Sequence, residues 1–270
     1  MNTSRKYWLI AEKDLRELSA NRMVVLPMII VPAVLCIVLP LVLLVVGLKS
    51  DILLIQGAQL IEGVLHAYPV PPEFVTVTER VLFVFLNYTM LGLFMIIPIM
   101  VSSIIAAHAI AGEKERGTLE TLLYTPVTNR QFFLGKLLSA FLPAVIISVV
   151  SFLLYFATTN LVFFALRGVM VIRSWIWLPA MLLLTPAVSL LGLGGTLLVS
   201  LRSKTFMQAQ QASGFIVLPC VLYIGVQMSG AIVINPLVIT LLGVILLAAD
   251  WLIVARLGPR FERERIISSL

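Results

Sequence analysis

Charge is what this sequence has least of: Asp, Glu, Lys and Arg make up 12% of its 270 residues, against 60% hydrophobic residues. Soluble domains carry about twice that share of charge, so a water-soluble globular fold is excluded. Cysteine occurs twice, Cys36 and Cys220, each inside an apolar run. That excludes a disulfide framework and leaves two small buried hydrophobes. Histidine also occurs twice, as His66 and His108. This excludes an HExxH metal pair, and no metal site is predicted. It also leaves no late-span base for an intramembrane serine protease, although Ser213-Gly214 has the setting such a serine would need. The only Gly-Lys, Gly135-Lys136, is followed by Leu137 where a phosphate loop needs Ser or Thr, and Arg130 stands where its first Gly should be. The chain therefore has no Walker A motif and no nucleotide site of its own. Internal repeats and low-complexity tracts are missing too.

What is present is hydrocarbon. Mean hydropathy is +1.08, and runs of about 20 apolar residues predict an all-α polytopic membrane protein. Six spans are expected, at about 24–48, 81–111, 131–156, 176–200, 212–228 and 236–256. They divide the chain into an interfacial helix (1–23), a six-span domain (24–256) and a tail (257–270). The first run is too long for a signal-peptide core and has no small-residue cleavage site after it, so it is read as an uncleaved span. With the amino terminus inside, fifteen Lys/Arg fall in inside segments and four (Lys49, Arg80, Arg167, Arg173) outside. The positive-inside rule then places both termini in the cytoplasm. The net charge of +6 is spread over short loops and both ends, which argues for topology signals rather than nucleic-acid binding. The second run, 31 residues long, would span about 46 Å as a helix, against about 30 Å of hydrocarbon. It is expected to tilt, kink at Pro98 or protrude.

Before the first span, Trp8, Ala11, Leu15 and Leu18 share one helical face, as in a helix lying in the interface. Residues 49–80 carry Gln56, Gln59, Glu62 and His66 at helical spacing until Pro69, Pro71 and Pro72 stop the pattern, which suits an interfacial or a re-entrant helix. Residues 158–175 fit a similar segment, or Arg167, Arg173 and Trp175 mark the interface. Gly192, Thr196 and Ser200 set a small residue every four positions on the fourth span, for packing within one subunit or between subunits. Asp250 is the one acid deep in an apolar run, and His108 sits one turn before Gly112. Both are kept as candidates for ion or substrate contact. Pairing at the interface, Asp250 with Arg256 six residues on, is the structural reading of each.

The densest charge lies in "AGEKERGTLETLLYTP", residues 111–126. Gly112 is expected to end the second helix, Glu113–Arg116 to be solvated, and Gly117 to permit a sharp turn. Thr118 then caps a short helix that Pro126 terminates, with Leu119, Leu122 and Leu123 on one face and Glu120 and Thr121 turned away. "TNRQ", 128–131, is a capping box opening the third span. Two helical turns are unstable alone in water, so this segment needs a partner.

The run Gly112–Lys136 resembles the loop between the second and third spans of ABC-2-type permeases, the membrane subunits of type V ABC transporters. Its Arg116-Gly117-Thr118-Leu119-Glu120, Leu122-Leu123, Pro126 and Gly135-Lys136 supply that pattern. "EKDLRELSANRMVVLPMIIVP" is similar to the family's amino-terminal connecting helix. The resemblance implies an ATP-driven transporter, an exporter, in the plasma (inner) membrane of a prokaryote. Two permease subunits, alike or different, form the pathway, and two copies of a separate ATPase bind ATP and Mg, so this chain needs no cofactor. It also implies that Glu113, Arg116, Gly117, Thr118, Leu119, Glu120, Leu122, Leu123, Tyr124 and Pro126 form the coupling contact, with Thr118–Tyr124 the coupling helix and no catalytic residue. The alternative is a secondary transporter or channel using Asp250 and His108 without ATP.

Overall fold

The structure, a computed structural model, describes residues 3–49, 68–117, 129–228 and 235–260. Helix α1 (Thr3–Ala20) precedes α2 (Arg22–Leu48), α3 (Val77–Glu115), α4 (Asn129–Arg167), α5 (Trp177–Arg202), α6 (Phe206–Gln227) and α7 (Pro236–Arg260). Six of these, α2 to α7, are long and apolar enough to cross a membrane, and there is no strand among the described residues. The fold is all-α and polytopic. The segment expected to be interfacial or re-entrant lies mostly outside the described residues.

Helix α3 is the hub. Along its most apolar stretch 83% of positions are buried, against 50% for α5 and 11–28% for the others. That burial explains why its sequence reads apolar all round. The helix is longer than the hydrocarbon layer and breaks locally at Met95, three residues before Pro98, whose ring crowds the carbonyl one turn back. Helix α5 packs along it through Gly192. A Cβ there would stand 2.6 Å from the Ser102 hydroxyl and 2.9 Å from the Ile99 carbonyl. Ser103 donates to the Gly192 carbonyl at 3.3 Å, and Thr196 and Ser200 on the same face are fully buried. The small-residue face of the fourth span is thus used inside one subunit.

The two ends of the bundle are built differently. At the far end, the Thr76–Glu79 capping box starts α3, and α4 runs on to Arg167, where Gly168 turns the chain at φ 74°. The loop then dives back, with Val171, Ile172 and Ile176 buried. Two asparagines satisfy its backbone, which hydrocarbon cannot. The Asn87 amide donates to the Val171 carbonyl (2.8 Å) and accepts from the Arg173 and Ser174 amides (3.3 and 3.2 Å). Asn160 accepts from the Val171 and Ile172 amides (3.0 and 2.9 Å). Asn87 lies in a π-helical turn, Phe85–Thr89, where the buried Tyr155 hydroxyl of α4 donates to the Leu86 carbonyl at 2.6 Å. Arg167 pairs with Glu79 (3.2 Å) and Arg173 with Glu73 (2.6 Å).

Candidate functional site at the charged end

The end that carries α1 gathers ionised side chains from three helices. Leu18 is buried and Leu15 packs on the core, which turns Asp14 towards α4. There Lys136 reaches two carboxylates, Asp14 Oδ1 at 3.0 Å and Glu113 Oε2 at 2.9 Å. All three side chains are almost fully buried, with 2–5% exposed. Ser139, one turn beyond Lys136, donates to Asp14 Oδ2 at 3.1 Å. Around this centre Lys13 bridges Glu113 (3.0 Å) and Glu17 (3.3 Å). Arg116 lies 3.8 Å from Glu17 and donates to His108 Nε2 at 3.1 Å. Three cations thus face three carboxylates. Buried charges persist only when paired and hydrogen-bonded in this way.

Electrostatics differ across the cluster. Burial pushes the Asp14 carboxyl up, the Lys136 ammonium pulls it back, and Glu113 pushes it further, leaving it above the ordinary range. Burial works to lower Lys13, but Glu113 and Glu17 outweigh it and hold the ammonium above its usual value.

Local structure explains how the roots are set. Helix α3 does not end at Gly112. It continues through a π-helical turn, His108–Gly112, and one more turn to Glu115, and the chain reverses at Gly117 with φ 67°. Nor is Glu113 solvated, because the extra turn carries it into the cluster, while Glu115 and Arg116 remain exposed. Glu115 Oε2 accepts from the Phe206 amide at 2.9 Å, an orphan donor at the positive end of α6. The charged end therefore joins α1, α3, α4 and α6.

Of the residues expected to form the coupling contact, Glu113, Arg116 and Gly117 stand at this root. Thr118, Leu119, Glu120, Leu122, Leu123, Tyr124 and Pro126 lie outside the described residues. His108 belongs to the cluster through Arg116. Asp250, on α7, is buried, and its Oδ2 has no hydrogen-bond partner among the described residues. The side chain of Arg256, its expected partner, lies outside them. Sequence reasoning missed Asp14, Ser139 and the pairing of Lys136, although a lysine five residues into an expected span was itself a signal.

The profile of the ABC-2 family transporter proteins matches residues 8–242, from α1 into α7 and through the whole ionic cluster. No curated protein and no solved structure matches the chain. A match over most of the length, on six helices able to cross a membrane, settles the relationship: the chain belongs to the ABC-2 family and is a multi-pass transporter membrane protein.

Proposed function

We propose that this chain is the permease subunit of an ATP-driven exporter, moved by a separate ATPase that grips Thr118–Tyr124. The observation that carries the reading is the buried Lys136 held between Glu113 and Asp14. Glu113 lies just before the 118–128 segment and Lys136 just after it, so their ion pair closes that segment at its root and ties it to α1. A push on the segment reaches α1, α3 and α4 as one body rather than dissipating in a loose loop. Two ATPase copies, each binding ATP and Mg, act on two permease subunits, and this chain contributes no cofactor. Its charged end faces the cytoplasm of a prokaryote, with both termini on that side of the plasma membrane.

The test is the double change Leu122→Asp with Leu123→Asp. Each buried leucine contributes roughly 1.5–3 kcal/mol to such a contact, and a desolvated carboxylate opposes it. The ATPase should no longer co-purify, while the thermal midpoint of the isolated permease in detergent stays put. Retained ATPase with an unchanged midpoint rejects the assignment. A second reading, ion-coupled transport without ATP, draws on the Oδ2 of Asp250, which has no hydrogen-bond partner among the described residues; Asp250→Asn abolishing transport in a normally folded protein would favour it.

A further inference from the structure

The turn from α5 into α6 carries charge that its own stretch of chain does not answer. From Thr121 to Ala249 the sequence contains no Asp or Glu, yet Arg202 ends α5 and Lys204 follows it. Both are exposed, and neither forms an ion pair among the described residues. The acid held against this turn is Glu115, already accepting from the Phe206 amide at 2.9 Å. Beside Arg202 lies a cavity of about 490 Å³, within the range of small-molecule sites, roughly 300–1,000 Å³. No residue of α3 and none of the buried ionic cluster lines it. Leu198, Leu201 and Arg202 face it from α5 at helical spacing, and Gln208 and Ala212 from α6. Its polarity is therefore graded: Arg202 and Gln208 stand next to the turn, while Leu198 and Ala212 lie one helical turn, about 6 Å, further along the spans. The turn's other donors are spent. The Ser203 hydroxyl donates to the Val199 carbonyl at 3.0 Å, and the Lys204 amide to Gln208 Oε1 at 3.0 Å. What remains to donate at the rim is the Arg202 guanidinium and the Gln208 amide nitrogen.

We propose that this pocket seats a phospholipid of net negative charge, its phosphate held by Arg202 and Gln208 and the start of an acyl chain lying along Leu198, Leu201 and Ala212. A guanidinium presents parallel donors that match two phosphate oxygens, and no carboxylate lines the pocket to occupy them. A phospholipid is favoured over a soluble anion because two spans meet here and the flank is apolar: Leu198, Met207 and Phe215 are 55%, 56% and 72% exposed. Basic pockets between spans at the membrane edge take such head groups. Net negative charge is required because a zwitterionic head would bring its ammonium beside Arg202 and Lys204, where no acid offsets them. The site stands whether or not an ATPase drives the permease.

The test titrates the purified, delipidated full chain in detergent, without any ATPase, with phosphatidylglycerol and with phosphatidylcholine of the same chains, and counts bound lipid by native mass spectrometry. The expected result is one saturable phosphatidylglycerol, bound at least several-fold more tightly than phosphatidylcholine and not displaced by millimolar inorganic phosphate. Arg202→Gln should weaken it roughly 10- to 150-fold, the worth of a hydrogen bond between charged groups. Lys204→Gln, which removes an equal charge outside the pocket lining, should weaken it no more than about 5-fold. Should Arg202→Gln aggregate, Arg202→Lys decides, since it keeps the charge but loses the paired donors and should still bind several-fold more weakly than wild type. Equal losses at Arg202 and Lys204 mean diffuse surface charge and overturn the site. So do equal binding of the two lipids and full displacement by inorganic phosphate, which would mark a free-anion site. Lipid binding unmoved by Arg202→Gln, with co-purification of an ATPase lost instead, would assign this arginine to a protein contact and reject the proposal.

Discussion

The two ends of this bundle solve the same problem, holding irregular chain beside hydrocarbon, with opposite chemistry. The far end uses neutral amides: Asn87 and Asn160 stand in for water along the 171–174 backbone, which is buried at Val171 and Ile172, and its ion pairs are half-exposed at Arg167 and Arg173. The charged end uses full charges almost free of solvent, Lys136 between Asp14 and Glu113. Neutral hydrogen bonds suit a lining that keeps one arrangement. A buried ionic cluster is strong only while every partner is in place, so it ties separate helices into one rigid joint. The difference sets a loop held by neutral hydrogen bonds at one end against a buried ionic joint between helices at the other.

The comparison breaks at once if the two ends face the same compartment. With Cys36 and Cys220 replaced by Ala, Val75→Cys should react in intact cells with a membrane-impermeant maleimide added outside, and Lys114→Cys only after the cells are opened. Labelling in the reverse order would turn the molecule over and move the joint away from any cytoplasmic motor.

Next in size is the centre of the joint. Lys136→Met leaves Asp14 buried without its cation and Glu113 with Lys13 alone, and should cost about 3–5 kcal/mol, read as a large fall of the thermal midpoint in detergent. Asp14→Asn should cost far less, because one lysine and one glutamate remain paired. The folded Asp14 carboxyl is held above the ordinary value it regains on unfolding, so its ionised form counts against folding. That burden is present at neutral pH and is relieved as pH falls through the folded value. Wild type should accordingly gain on Asp14→Asn between neutral and mildly acid pH. A constant gap would mean Asp14 is not strained by its neighbours.

How far the sequence revealed this contrast depends on the range of each interaction. Hydropathy marks the spans because each needs only its own residues, and Gly117 announces its turn because positive φ is a property of one residue. Lys136, Asp14 and Glu113 come from three distant parts of the chain, and the sequence pattern gives an expectation for the surroundings of Glu113 alone, as a solvated residue. Only packing of α1 under α3 and α4 makes them neighbours. Gly112 reads as a helix end because glycine so often is one, yet here the helix runs on through it as part of a π-helical turn. Asn87 and Asn160 were visible as lone amides near or within apolar runs, a signal that names a task without naming the partner.

At the far end, Asn87→Leu tests the amides. It strands the Val171 carbonyl and the Arg173 and Ser174 amides, each buried orphan costing roughly 1–3 kcal/mol unless the loop moves out to water. The midpoint should fall by less than for Lys136→Met. Faster proteolysis at 168–176 should accompany the change, a local opening that the Lys136 variant would not favour.

The smallest effect belongs to Arg173 and Glu73. Their contact is short, 2.6 Å, but the side chains are 49% and 45% exposed, and ion pairs in water are worth about 0–1 kcal/mol whatever their length. Arg173→Ala keeps the backbone amide that bonds Asn87, so only the guanidinium contact is lost. The midpoint should move by a few degrees at most, and the difference should fade in about 0.5 M salt, where exposed charges are screened within a few ångströms. The Lys136 defect should persist in the same salt, because ions do not reach a site with 2% exposure. A salt-insensitive loss at Arg173 as large as that at Lys136 would mean that the far end is also a stressed joint, and the division of labour between the two ends would fail.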